Sequence, residues 1–233
     1  MTVEAAAVQY AYRHIENVDW NGIRSADGQF VFVTVDATDA EQPPNRDAFT
    51  LVTADDVYEP ADIRDTAPVG LDVPGGLYTP EQENEKPTGW LAFSVPARLD
   101  AAPSLRLDAE NNSWKRRLDT EKATAPPPAW DWTASAPETV RPGERFTITV
   151  TADNVGDGPG TFRGAVNFSF PLYRPEGFDI VLDSGESGEA TISASSTHAD
   201  PGMELEYGVR TPAGESTVTV AVGAESATTG SPN

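Results

Sequence analysis

Ala123-Thr-Ala-Pro-Pro-Pro-Ala-Trp-Asp-Trp132 decides how the rest of the chain is read. Pro126 to Pro128 cannot donate to a sheet ladder and favour a stiff, extended run. A strand-like pattern ends before them and another starts at Trp130. The stretch therefore reads as a joint between two β-rich halves, with residues 1–122 before it, 123–129 as the linker, 130–225 after it, and a small, polar, disordered tail at 226–233.

Downstream of the joint, Trp130 and Trp132 are two apart and face one side of a strand. Arg145-Phe-Thr-Ile-Thr-Val-Thr151 is the clearest strand. Phe146, Ile148 and Val150 alternate with threonines, which predicts one buried and one wet face. Further strands are expected over Thr161–Phe170, Phe178–Leu182, Ala190–Ala194, Met203–Tyr207 and Thr217–Val222. Short strands separated by Gly/Pro/Asp turns fit an immunoglobulin-like sandwich.

Upstream, Glu4–Arg13 reads as a strand with Val8, Tyr10 and Tyr12 on one face, although Ala5 to Ala7 would tolerate a helix. Asn21-Gly22 and Asp27-Gly28 read as turns. In Gln29-Phe-Val-Phe-Val-Thr-Val-Asp36 the phenylalanines face one way and the valines the other, as in a central strand buried on both sides. Ala48–Thr53, Thr88–Pro96, Ser104–Asp108 and Trp114–Leu118 complete the strands. Asp55–Glu85 is a long, proline-rich loop, a length that goes with function or disorder. The fold class expected is all-β, two immunoglobulin-like antiparallel β-sandwich domains in tandem.

The net charge is −21, shared as −12 before Thr133 and −9 from there on. Such a surface repels nucleic acid and anionic lipid, so neither is an expected partner. Only Lys86, Lys115 and Lys122 are lysines. Acidic excess with scarce lysine resembles the proteins of extreme halophiles, above all haloarchaea, in which concentrated salt screens self-repulsion over a Debye length of about 3 Å at 1 M. Cysteine is absent, which excludes disulfides, thiolate metal sites and thiol nucleophiles. No apolar run is long enough to span a membrane. The segment after Met1 lacks the basic and apolar regions of a signal peptide. Either the protein is cytoplasmic, or Met1 heads a mature fragment whose leader, or lipid anchor, has been lost.

Pro142-Gly143-Glu144, the alternating strand Phe146–Val150 and Asn154-Val-Gly156-Asp157, followed by Asp183-Ser-Gly-Glu-Ser-Gly-Glu189, resemble CARDB-type modules. These are cell-adhesion-related immunoglobulin-like domains of prokaryotic surface proteins. The resemblance runs from Pro137 to Val222 and carries turns and a fold, with no shared catalytic residues. Gly28–Val35, Asp47–Val52, Tyr58-Glu-Pro60 and Gly89–Pro96 resemble the telokin-like domains of extracellular lipoproteins, whose function is unknown. Together the resemblances imply a cell-surface or secreted protein.

Chemistry-bearing constellations are few. His14 and His198 have no partner at metal-ligand spacing, so no metal or cofactor is expected. His198 and Asp200 lie near serines, but Ser184 and Ser187 lack the strand-to-helix setting of a nucleophile elbow. Asp153, Asp157 and Gly158 fit a turn better than a calcium loop, because Val155 stands at a ligand position. Asn111 and Asn167 head N-glycosylation sequons, relevant if the chain is exported. Trp90, Trp114, Tyr173 and Phe178 are the candidate binding-surface residues, with core packing as their other reading. No catalytic residue is assigned. The expected function is a non-enzymatic module for adhesion or protein interaction in high salt, with a protein or a surface polymer as partner. The alternative is a carbohydrate- or solute-binding module using the Asp55–Glu85 loop and the tryptophans.

Overall fold

The computed structural model describes residues 1–63, 67–80, 87–109, 112–168 and 174–223. It is all-β, with sheets packed face to face.

In the first half, β1 (Thr2–Asn17) and β2 (Trp20–Asp36) form a long antiparallel hairpin turned at Val18-Asp19. With β5 (Pro68–Val69) and β6 (Thr88–Val95) they make a sheet of order β5-β1-β2-β6. A second sheet, β4-β3-β7-β8, is built from β3 (Phe49–Val52), β4 (Val57–Tyr58), β7 (Ser104–Ala109) and β8 (Asn112–Arg117). The two-faced pattern of β2 explains the packing. Val31, Val33 and Val35 meet Phe49, Leu51, Leu105 and Leu107 of the second sheet. Phe30 and Phe32 meet Tyr12, Trp90, Ile63 and Val73 on the other side. The described part of the long loop is thus a third layer that keeps the back of the first sheet dry.

In the second half, β9 (Trp130–Ser135), β11 (Arg145–Asn154) and β14 (Ser187–Ser195) form a three-stranded sheet of order β14-β11-β9. Facing it is β10-β16-β15-β12-β13, from β10 (Thr139–Val140), β12 (Gly160–Phe168), β13 (Arg174–Leu182), β15 (Glu204–Thr211) and β16 (Gly214–Val222). All its pairings are antiparallel except β10 with β16. Phe146, Ile148 and Val150 lie in the core between these sheets, as their alternation predicts.

Several local expectations are corrected. Val8 and Tyr12 lie on opposite faces, Val8 on the inter-sheet core and Tyr12 in the layer under the loop. A register shift between Gln9 and Ala11 inserts the extra residue that reverses the alternation. Gly22 and Gly28 are not in turns but inside β2. A β-carbon on Gly22 would strike the His14 and Glu16 side chains, and one on Gly28 the backbone of Val95 to Ala97, so each glycine marks a close approach.

The proline joint is held at both ends. Ala123 is buried in the first core and its carbonyl accepts from Leu99 N (2.8 Å) and Gln29 Nε2 (2.9 Å). Val155 N donates to Ala129 O (2.8 Å), and Ala129 N donates to Asn154 Oδ1 (3.3 Å). The same Asn154 side chain donates to Gly158 O (2.8 Å) and Asp183 O (3.1 Å), tying two turns to the joint. β-Carbons at Gly156 and Gly158 would collide with the Pro126–Ala129 backbone, so these glycines make the seat for the prolines. Trp130 and Trp132 pack on Phe162 of their own half, with ring centroids 5.3 and 6.2 Å away, not between the halves. Nor are the halves spaced apart as a rod: β1 and β2 lie against β12, β13 and β15.

Candidate functional site

The seam between the halves is where the charged chemistry of the described residues converges. Along β12, Phe162, Val166 and Phe168 face the core, so the period of two turns Arg163, Ala165 and Asn167 to the opposite face. There they meet the β1–β2 hairpin. Arg163 is 4% exposed. Its guanidinium donates to Gly70 O (2.9 Å), pairs with the Asp72 carboxylate, and lies 3.7 Å from Asp179 Oδ1. Asp179 also takes Arg13 Nη1 (2.6 Å), which donates in addition to Phe178 O (2.9 Å). The charges alternate, Arg13, Asp179, Arg163, Asp72, and the chain of contacts crosses between halves at both ends. Burying an arginine needs such pairing, because an unpaired buried charge is costly.

Asn167 is fully buried, 0% exposed, and reads the backbone of Asn21 twice. Asn21 N donates to its Oδ1 and its Nδ2 donates to Asn21 O, both at 3.0 Å. Further along, Arg210 pairs with Glu16 (3.1 Å) and Glu215 (3.3 Å), and its guanidinium stacks 5.5 Å from the Trp20 ring centroid. Burial holds the His14 imidazole below its ordinary value of 6.5, against the pull of Glu16, whose carboxylate is 3.8 Å from Nε2.

An open groove of about 390 Å³ runs beside this seam, lined by Trp20, Arg210, Glu206, Glu215, Ser216 and Thr217. Next to it the hairpin tip projects apolar side chains into solvent, with Ile15 47% and Val18 91% exposed. An indole ring flanked by carboxylates and hydroxyls provides a stacking face and hydrogen-bond partners in one place. Tip and groove together form the candidate site.

Of the residues expected at a binding surface, Trp90 is 4% exposed and sits edge-on to Phe32, 5.7 Å between centroids, beneath the loop layer. It offers no surface. Phe178 is likewise buried, against Phe162. Trp114 is half-buried against the first core. Tyr173 and Asn111 lie outside the described residues. Asn167, expected as a glycosylation candidate, is shut into the seam, where both ends of its amide are already bonded and no glycan fits. Ser184 donates to Gly156 O (2.6 Å) and so holds a turn, while Ser187 donates to Asp153 across the β11–β14 pair, so both hydroxyls are taken up structurally. Among the described residues, no three His, Asp or Glu side chains gather closely enough for a metal ion.

The seam residues Arg13, Trp20, Arg163 and Arg210 were missed from sequence. One signal was legible: Phe162-Arg-Gly-Ala-Val-Asn-Phe168 sets an arginine and an asparagine in a run otherwise free of charged side chains, which marks a polar contact against a second buried face.

No family model matches the chain, and no curated protein matches it. Among solved structures, the β-glucosidase from Listeria innocua matches in several crystal structures. With isofagomine it is 20% identical at a TM-score of 0.33, over 42% of this chain and 16% of the enzyme. With glucose the values are 19%, 0.32, 42% and 16%. A further crystal structure of the enzyme gives 19%, 0.33, 51% and 21%. The chain thus spans only 16% to 21% of that enzyme's length. A likeness this slight bears on neither ancestry nor activity. Among the described residues no helix is long and apolar enough to cross a membrane.

Proposed function

We propose that the chain is a non-enzymatic module for adhesion or protein interaction, built of two immunoglobulin-like domains (1–122 and 130–225) joined by the docked linker 123–129. We place it at a cell surface or outside the cell, in high salt. The observation that supports this reading best is the exposed apolar tip, Ile15 and Val18, presented by a hairpin whose base is held at a fixed angle by the Arg13–Asp179–Arg163–Asp72 series. An exposed apolar knob beside a mixed-charge groove suits contact with another protein.

The test is retention of chain-coated beads on envelope preparations of the source cells at ~2 M KCl, a salt at which exposed charges are screened. Ile15→Asp with Val18→Asp should abolish retention without lowering the melting temperature. Equal retention of both proteins refutes the reading.

The groove favours one second reading, a carbohydrate-binding module with Trp20 as the stacking platform. A glycan array separates the two. Sugar binding that quenches fluorescence and disappears in Trp20→Ala supports the second, and an array silent under conditions where the beads are retained supports the first.

A further inference from the structure

β1 is sixteen residues long, but its outer edge is paired with β5 only at Arg13 and His14. Among the described residues, Thr2 to Val8 has no ladder partner on that side. Native sheets blunt such edges with charge, proline or bulges. Here bulges fall at Val3/Ala5 and at Gln9/Ala11, leaving Ala5-Ala-Ala-Val-Gln9 regular, with neither charge nor proline.

This stretch is one wall of a groove of about 570 Å³. Ala6, Ala7 and Val8 face Asp119, Thr120, Glu121 and Lys122 across it, and Asp72 lies at its margin. Gln9 marks that end, accepting from Asp72 N at 3.0 Å. Thr120 is 5% exposed and its hydroxyl has no hydrogen-bond partner. Buried hydroxyls normally have one, so a donor or acceptor is missing beside this edge.

We propose that the groove receives an extended segment of another protein, which adds a strand to β1 over Thr2–Val8 and carries lysine or arginine at alternate positions. This deepens the interaction function proposed above and rests on it. Strand addition supplies main-chain hydrogen bonds, and flanking side chains select the partner. Asp119 and Glu121 are exposed on the far wall, and among the described lining residues Lys122 alone opposes them, so alternate basic side chains find carboxylates there. A second copy of the chain is a poor occupant. Its own edge segment offers Glu4 and no basic residue before Arg13, and each copy carries −21.

The test uses the full chain in the lowest KCl at which it melts cooperatively. The probe is acetyl-Lys-Val-Lys-Val-Lys-Val-amide, read by hydrogen exchange at the Thr2–Val8 amides. The peptide should slow exchange there. The same peptide N-methylated at alternate residues keeps its charge but loses donors, and should not protect. Glu-Val-Glu-Val-Glu-Val should not protect either. Asp119→Lys with Glu121→Lys, both on exposed positions, should weaken binding about tenfold, the effect of reversing two modest surface pairs. Protection that survives N-methylation overturns the proposal, as it reports only attraction of a cation to an acidic protein. So does Lys-Val peptide binding, or its absence, with exchange at Thr2–Val8 unchanged. Protection that grows with protein concentration in the absence of peptide overturns it in favour of self-pairing. The bead assay reads the hairpin tip, so this proposal can fail while the broader interaction reading stands.

Discussion

Asn167→Ala should cost about 2–3 kcal/mol of stability, through the seam alone. The residue is fully buried, and its amide makes two 3.0 Å hydrogen bonds to the Asn21 main chain. A neutral bond contributes about 1 kcal/mol net, and a polar group left without a partner costs about 1–3 kcal/mol when buried. Asn21 is only half-buried, so water relieves part of that second penalty and the total stays near the lower end. For a chain of this size the loss corresponds to a melting temperature lower by about 4–12 °C. Asn167→Asp should be worse than alanine. It can still accept from Asn21 N, but it sets a buried carboxylate against Asn21 O. The assay is urea unfolding followed by tryptophan fluorescence and far-ultraviolet circular dichroism, at ~2 M and ~3 M KCl, where screening lengths are already a few ångströms or less. Because the Asn21–Asn167 contact is neutral, the loss should be the same at both salt concentrations. A loss below ~0.5 kcal/mol, well under one ordinary hydrogen bond, would show that the halves do not share this seam in solution.

Melting midpoints should rise steeply between ~0.1 M and ~2 M KCl, because the −21 charge is spread over both halves and is screened by salt; equal midpoints would refute the halophilic reading. Ile148→Ala should cost about 2–5 kcal/mol in chemical denaturation, since its side chain is wholly inside the second core, and a loss under ~1 kcal/mol would place it outside. Gly158→Ala should unseat the proline joint, because its β-carbon meets Pro126 O, and the variant should become sensitive to cleavage at Lys122 where the native chain resists. Equal cleavage of the two proteins would mean that the joint is free.

Secondary structure was largely legible along the chain, and for a local reason. In a strand, successive side chains point to opposite faces, so burial leaves its mark at a period of two. Phe146, Ile148 and Val150 show one buried face, and the Phe/Val alternation of Gln29–Val35 shows two. The candidate site was not legible. Trp90 and Phe178 are large aromatics whether they line a cleft or fill a core, and only the neighbouring layers decide which. The β1 bulge left no local mark, and one inserted residue was enough to exchange the faces of Val8 and Tyr12.

Composition by itself determined the acidic surface and the absence of thiol chemistry, and the alternating pattern determined an all-β chain divided by three prolines. Only the tertiary structure decided what the polar and irregular residues are for. It made the described part of the long loop a third layer over Phe30 and Phe32, made Gly156 and Gly158 a seat for the prolines, and turned Arg163 and Asn167 toward Asp72 and Asn21. The physical reason is range. Apolar burial is non-directional and leaves a periodic trace in the sequence, whereas a buried hydrogen bond or ion pair depends on a partner some 90 to 150 residues away, as Arg163 does on Asp72 and Asn167 on Asn21.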